Sequence, residues 1–214
     1  MVELFKHLFH LDFDWIVSNY SDSIYVVLFL VIFVETGLVV MPFLPGDSLL
    51  FMAGMYANTK IDPLNLSYLL FFLSIAAVLG DNINYWIGRR IGLGVFEWKI
   101  RGRQLVKESY LKKTEDFFEK RGVFAIIMAR FVPIVRTFTP FAAGVGKMNY
   151  RKFLVFDIIG GVLWICSMTL AGYFLGEFKW IKDNNEKVVL GIIFISVLPM
   201  IVSVIKSKLA AKNA

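Results

Sequence analysis

Two stretches of this chain are apolar enough to enter a lipid bilayer and too broken to cross one. The first is Met41-Pro-Phe-Leu-Pro-Gly-Asp-Ser-Leu-Leu-Phe-Met-Ala-Gly54; the second is Arg130-Phe-Val-Pro-Ile-Val-Arg136, followed by Thr137-Phe-Thr-Pro-Phe-Ala-Ala-Gly144. Pro42, Pro45 and Gly46 exclude a continuous helix from residue 23 to residue 57, because proline removes a backbone donor and clashes with the preceding turn. A break at membrane depth is tolerated only where protein or a water-filled cavity covers the backbone. The sequence therefore predicts re-entrant hairpins at 42–58 and 122–146. Arg130 and Arg136 tighten the constraint, since an arginine at the centre of a membrane helix costs about 2.5–3.5 kcal/mol even on the lenient insertion scale. Buried carboxylates, an anionic ligand or escape to the aqueous interface must offset that cost.

Composition places the rest of the chain in the same class. Hydrophobic residues make up 57% of the 214 and aromatics 16%, with a mean hydropathy of +0.66; soluble domains run at roughly 45–50% apolar residues. The 23 Lys+Arg against 17 Asp+Glu lie mostly between or after apolar runs. That distribution is a topology signal and an affinity for anionic lipid rather than a nucleic-acid surface. Asp12, Asp14 and Asp22 interrupt the N-terminus, so no cleavable signal peptide is expected. The single cysteine, Cys166, excludes an intramolecular disulfide and a metal site built on cysteines.

In chain order, Leu4, Leu8, Leu11 and Trp15 form a stripe at helical spacing, which predicts an amphipathic surface helix over 1–20. Four crossings are expected, at 23–41, 64–88, 153–175 and 188–205, each near the ~20 residues a helix needs to span. Residues 89–121 hold ten basic residues against five acids and read as a cytoplasmic loop with an interfacial helix around Val106, Tyr110 and Phe117. Residues 206–214 form a basic cytoplasmic tail. With that count both termini and the basic loop share the cytoplasmic side, in agreement with the positive-inside rule. Glu35 interrupts the first crossing, and an ionisable group in a span is a functional candidate. Asp47 suits the N-cap of a half-helix starting at Ser48. Asp81, Asn84 and Tyr85 share one helix face, either lining a polar cavity or bonding helices together.

The first broken segment follows an outward crossing and dips in from the outer face, whereas the second follows the cytoplasmic loop and dips in from the inner face. Their sequences echo: Phe43-Leu-Pro45-Gly-Asp47 against Phe131-Val-Pro133-Ile-Val-Arg136, each followed by an Ala-Gly pair. Opposed broken helices in an inverted repeat are a pattern of secondary transporters. The chain is thus expected to be an all-α integral membrane protein, with about four transmembrane helices plus two opposed re-entrant hairpins.

Several motifs carry a resemblance. Glu35-Thr-Gly37, Pro42-Phe-Leu-Pro-Gly-Asp-Ser-Leu-Leu50, Gly80-Asp-Asn-Ile-Asn-Tyr85, Ala129-Arg-Phe-Val-Pro-Ile-Val-Arg136, Trp164 and Gly172-Tyr173 closely resemble the bacterial DedA family, within the SNARE-associated or VTT superfamily. The resemblance implies a bacterial inner-membrane protein that moves undecaprenyl phosphate or a phospholipid, depends on the proton motive force and supports envelope integrity. It places the essential acids at Glu35 and Asp47 and the essential arginines at Arg130 and Arg136. Asp157 departs from the family's pattern, in which asparagine is expected.

The residue chemistry points the same way. An arginine pair offers planar donor forks that suit a phosphate monoester, and half-helix N-termini add positive dipole ends. A lipid phosphate head group and protons are the expected partners. Glu35 and Asp47 would hold Arg130 and Arg136 at rest and exchange a proton when phosphate displaces them. No cofactor, metal or enzymatic activity is expected: His7 and His10 lie far from the arginines in sequence, and no nucleophile cluster is visible. A proton-coupled transporter of small ions or drugs, and a structural or assembly membrane protein, are the alternatives.

Overall fold

The computed structural model describes residues 13–38, 46–58, 64–97, 99–100, 103–104, 124–178 and 180–181, with the isolated positions 3, 7, 188 and 191. The regular elements among them are helical except for one two-residue antiparallel pair, β1 (Lys99–Ile100) and β2 (Arg103–Gln104), with Lys99 opposite Gln104. The expected interfacial helix at 106–118, almost all of the crossing at 188–205, the tail at 206–214 and Leu4, Leu8 and Leu11 lie outside the described residues.

Helix α1 (Phe13–Tyr20) turns its apolar side inward. Phe13, Ile16 and Val17 are buried in the main core, and the Phe13 ring packs against Tyr56. A 3-10 turn at Ser21–Ser23 leads into α2 (Ile24–Gly37), which is apolar on every side, as a helix surrounded by protein and lipid must be. At 14 residues and 1.5 Å of rise per residue, α2 reaches about 21 Å, short of a ~30 Å hydrocarbon core. It ends where Leu38 adopts extended geometry. After residues 39–45, which fall outside the described set with Pro42 and Pro45, α3 (Gly46–Ala57) begins. Asp47 therefore stands in the first turn of α3 rather than before it, at a position where a carboxylate still complements the helix dipole.

Helices α4 (Leu66–Glu97) and α7 (Tyr150–Leu175) are the long elements, and both contain windows apolar and long enough to cross a membrane. Within those windows 33% and 39% of residues are buried, too little for core helices of a soluble protein. Their outward faces carry exposed Phe71, Leu79, Val155, Ile158 and Val162, side chains suited to lipid rather than water. α4 continues well past Gly88, so the basic segment begins as helix rather than as the loop the sequence suggests; nothing from Arg89 to Glu97 removes a backbone donor. The two helices run antiparallel, with Trp86 beside Tyr150 and Val78 against Gly161.

Between them in sequence, α5 (Phe124–Ala129) and α6 (Pro133–Val145) are joined by a turn at 130–132. Proline sets this join. Val132 takes the extended conformation required before a proline, and Pro133 opens α6 at the position where a missing N–H costs nothing.

The two halves, α2-α3-α4 and α5-α6-α7, exchange their half-helices. α3 packs on α7, where a Cβ on Gly54 would come within 2.0 Å of the Thr169 carbonyl and one on Gly172 within 1.9 Å of the Phe51 carbonyl. α6 packs on α4 in the same way, through Gly144 against Tyr85 and Gly88 against Phe141. Close backbone approach at small residues is how helices bind in lipid, where water supplies no apolar driving force. The register repeats as well. Asn65 caps α4 by accepting from Ser67 and Tyr68 N–H, and Asn149 caps α7 by accepting from Arg151 and Lys152 N–H. Residues 65 and 88 are separated by the same interval as 149 and 172.

Candidate functional site

The exchange brings the N-terminal turns of α3 and α6 together in the middle of the bundle. α3 runs from there to the C-terminal end of α7, where Asn58 donates to the Tyr173 carbonyl at 2.6 Å. α6 runs the opposite way, along the C-terminal half of α4, where the Tyr85 hydroxyl donates to the Met148 carbonyl at 2.5 Å. Two positive dipole ends therefore share one buried region, a natural place for negative charge.

Arg136 occupies that region from the first turns of α6. Its Nη2 donates to Glu35 Oε1 and its Nη1 to Asp47 Oδ1, so the end of α2 and the start of α3 are tied to α6 through one guanidinium. The guanidinium carbon lies 4.3 Å from the centre of the Trp164 ring, and Trp164 Nε1 donates to the same Asp47 Oδ1 at 2.9 Å. Glu35 and Trp164 are fully buried, whereas the Asp47 side chain keeps 12% exposure. Arg136 Nε is buried and has no hydrogen-bond partner among the described residues. Gly46 makes the arrangement possible: a Cβ there would stand 1.9 Å from Glu35 Oε2.

Arg130 forms a second, separate cluster. It lies in the turn between α5 and α6, and its guanidinium pairs with Asp81 of α4 and Asp157 of α7. All three side chains are buried. Gly160 leaves room for the Arg130 stem, since a Cβ there would approach its Cγ at 3.2 Å. The expectation that both arginines face Glu35 and Asp47 as one quartet is corrected: Arg136 does so and Arg130 does not. The cause is the turn at 130–132, which sends the two side chains to different partners.

Asp81, Asn84 and Tyr85 do share a face, but they separate by role. Asp81 is an ion-pair partner. Asn84 Nδ2 donates to the Thr36 carbonyl at 3.1 Å and the Thr137 carbonyl at 2.7 Å, joining α2 to α6 across α4. Tyr85 ties α4 to the α6–α7 turn and accepts from Arg89 Nη1. Asn84 and Tyr85 thus act as bonds between helices. Two residues gain importance beyond the sequence reading: Asp157, singled out there only as a departure from a pattern, and Trp164, read only as part of a motif. An ionisable group within a spanning segment was the available signal for Asp157.

Residues 44–174 match the VTT domain, which covers more than half of the chain and contains Asp47, both arginines, Asp81, Asp157 and Trp164. Over 213 residues the chain is 45% identical to Protein DedA of Escherichia coli K12, covering 99% of this chain and 96% of that one. It is 42% identical over 202 residues to an uncharacterized membrane protein of Mycobacterium tuberculosis, covering 94% of this chain and 88% of that one. It is 31% identical over 180 residues to the inner membrane protein YqjA of Escherichia coli K12, covering 83% of this chain and 79% of that one. No solved structure matches. A VTT domain over most of the bundle, near full-length similarity to DedA and outward apolar faces on the long helices together make this chain a membrane protein of the DedA family.

Proposed function

We propose that this protein moves a lipid with a phosphate head group, undecaprenyl phosphate or a phospholipid, across the bacterial inner membrane, and that protons drive the movement. The observation that carries the reading is Arg136: a buried guanidinium at the N-terminal end of α6, shared by two carboxylates and with its Nε uncommitted. Arginine presents its donors in a planar fork that matches phosphate geometry, and the dipole ends of α3 and α6 add to the attraction. Phosphate binding to Arg136 releases Glu35 and Asp47. A released carboxylate in a buried site takes up a proton more readily than one held by a guanidinium, which links head-group binding to proton uptake.

The two arginines take different parts in this movement. Arg136 receives the phosphate, while Arg130, engaged by Asp81 and Asp157, ties the second hairpin to the spanning helices. The hydrocarbon tail stays in the bilayer. A groove of about 650 Å³ between α4 and α7, lined by Ser67, Phe71, Val78, Ile158, Val162 and Cys166, offers it a surface. A Cβ added at Gly161, on the α7 side of this groove, would stand 3.6 Å from Val78 and 3.9 Å from Arg130 Nη2. Both termini and the basic loop face the cytoplasm in this reading, and the rocking of the half-helices exposes the head group to either side.

The test reconstitutes purified protein in liposomes with fluorescent undecaprenyl phosphate or phospholipid, with and without a pH gradient. Movement should accelerate for at least one lipid and respond to the gradient, and Arg136→Lys should reduce it by at least tenfold because an ammonium cannot form the bidentate fork. No acceleration for any lipid, or full activity in Arg136→Lys, overturns the reading. A gradient-dependent flux of small ions in place of lipid movement would overturn it in favour of a proton-coupled solute transporter.

A further inference from the structure

We propose that the Arg130 cluster is a second proton-binding site, in which Asp81 and Asp157 share a single proton across the guanidinium. Nothing in the transport reading requires it; the geometry of the cluster does. One cation faces two carboxylates, and all three side chains are at most 2% exposed. With both acids ionised, the cluster would carry an uncompensated buried negative charge, whose desolvation is strongly unfavourable.

Among the described residues, no second counter-ion stands beside the cluster. On α6, Arg136 acts on Asp81 at longer range but is itself committed to Glu35 of α2 and Asp47 of α3. α5 contains no charged residue. On α4, Arg89 is turned to the Tyr85 hydroxyl and the Met148 carbonyl, and on α7 the basic Arg151 and Lys152 are exposed. Asp81 Oδ1 and Asp157 Oδ2 are buried without a hydrogen-bond partner among the described residues. An ionised carboxylate is acceptor-only, so these two atoms would both be left as bare buried acceptors. One proton neutralises the triad and leaves one carboxylate paired with one guanidinium.

The two acids belong to different spanning helices. Whichever is ionised holds Arg130 more strongly, so the position of the proton sets whether the arginine-bearing turn leans on α4 or on α7. The Arg136 site differs in kind, since Asp47 there keeps contact with solvent and takes an additional bond from Trp164.

Infrared spectroscopy of the full chain in lipid nanodiscs tests this directly through the C=O stretch of a protonated carboxyl. A band equal to one carboxyl group should be present at neutral pH, persist in Glu35→Gln and Asp47→Asn, and vanish in Asp157→Asn and in Asp81→Asn. Each single substitution leaves an intact neutral ion pair, so both variants should fold. The double variant strands Arg130 and should lose stability sharply. If Asp81→Asn does not fold, Asp157→Asn decides alone. A carboxyl band unchanged in Asp157→Asn overturns the proposal. The readout is proton occupancy: loss of the band on substitution supports the site even if no lipid is moved, so failure here and failure of the transport reading are told apart.

Discussion

Arg136 stands one turn into α6, where the helix dipole repels a cation. It is held there because Glu35, Asp47 and the Trp164 ring surround it. Removing one partner from a buried ion pair generally costs about 3–5 kcal/mol, since the remaining charge is left without compensation. Trp164 contributes through its N–H and its ring face at once, and substitution separates the two. Trp164→Phe keeps a ring under Arg136 and deletes the bond to Asp47. The expected loss is about 1.5–3 kcal/mol, the range for a hydrogen bond to a charged group, measured by thermal unfolding in detergent. A loss below a few tenths would show that the indole N–H does not hold Asp47. Glu35, Asp47 and Arg136 were legible in the sequence because a charge in an apolar run announces itself. Their pairing with one another was expected too, but the contact with Trp164 was not, because Trp164 is distant in sequence and its indole shows no sign there of which charge it meets.

At the scale of elements, the glycines decide how the half-helices attach. Gly54→Val and Gly144→Val each push a side chain into a backbone carbonyl of the opposite half. Both should lower the unfolding temperature far more than Gly191→Val, where no described residue lies within 4 Å. A comparable effect from all three would argue against the exchanged packing. The turn between α6 and α7 supplies a prediction of opposite sign. Lys147 adopts φ 49 while the N–H of Met148 donates to the Ala143 carbonyl, a helix-ending geometry normally filled by glycine. Lys147→Gly should raise stability by about 1 kcal/mol, read from the same melts; a decrease would mean that the lysine side chain anchors the turn. Proline made the break before α6 readable, since it acts within a few residues. The continuation of α4 beyond Gly88 was not readable, because the positive charges suggested a loop while the backbone had no reason to stop.

For the whole molecule, the antiparallel α4 and α7 with half-helices arriving from opposite ends make a topology prediction. In a Cys166→Ser background, cysteines at Gln104 and Lys208 should react with a membrane-impermeant maleimide from the cytoplasmic side, and one at Asn58 only from the other. Labelling of positions 104 and 58 from the same side would contradict opposed entry of the two half-helices. The repeat that motivates this was faint in sequence, a short Pro and Gly echo. In three dimensions both half-helices pack on the long helix of the other half, with matching caps and glycines.

The sequence by itself determined the solvent, the breaks and the charges: an apolar chain interrupted at Pro42–Gly46 and Pro133, with carboxylates and arginines placed inside it. These follow from local chemistry, since hydropathy, a missing N–H and a formal charge belong to the residue whatever surrounds it. The tertiary structure alone decided which charges meet. Arg130 and Arg136 are close in the chain, yet a turn before Pro133 sends one to Asp81 and Asp157 and the other to Glu35 and Asp47. Electrostatic partnership depends on separations of a few ångströms between distant segments, and only the packed helices set those.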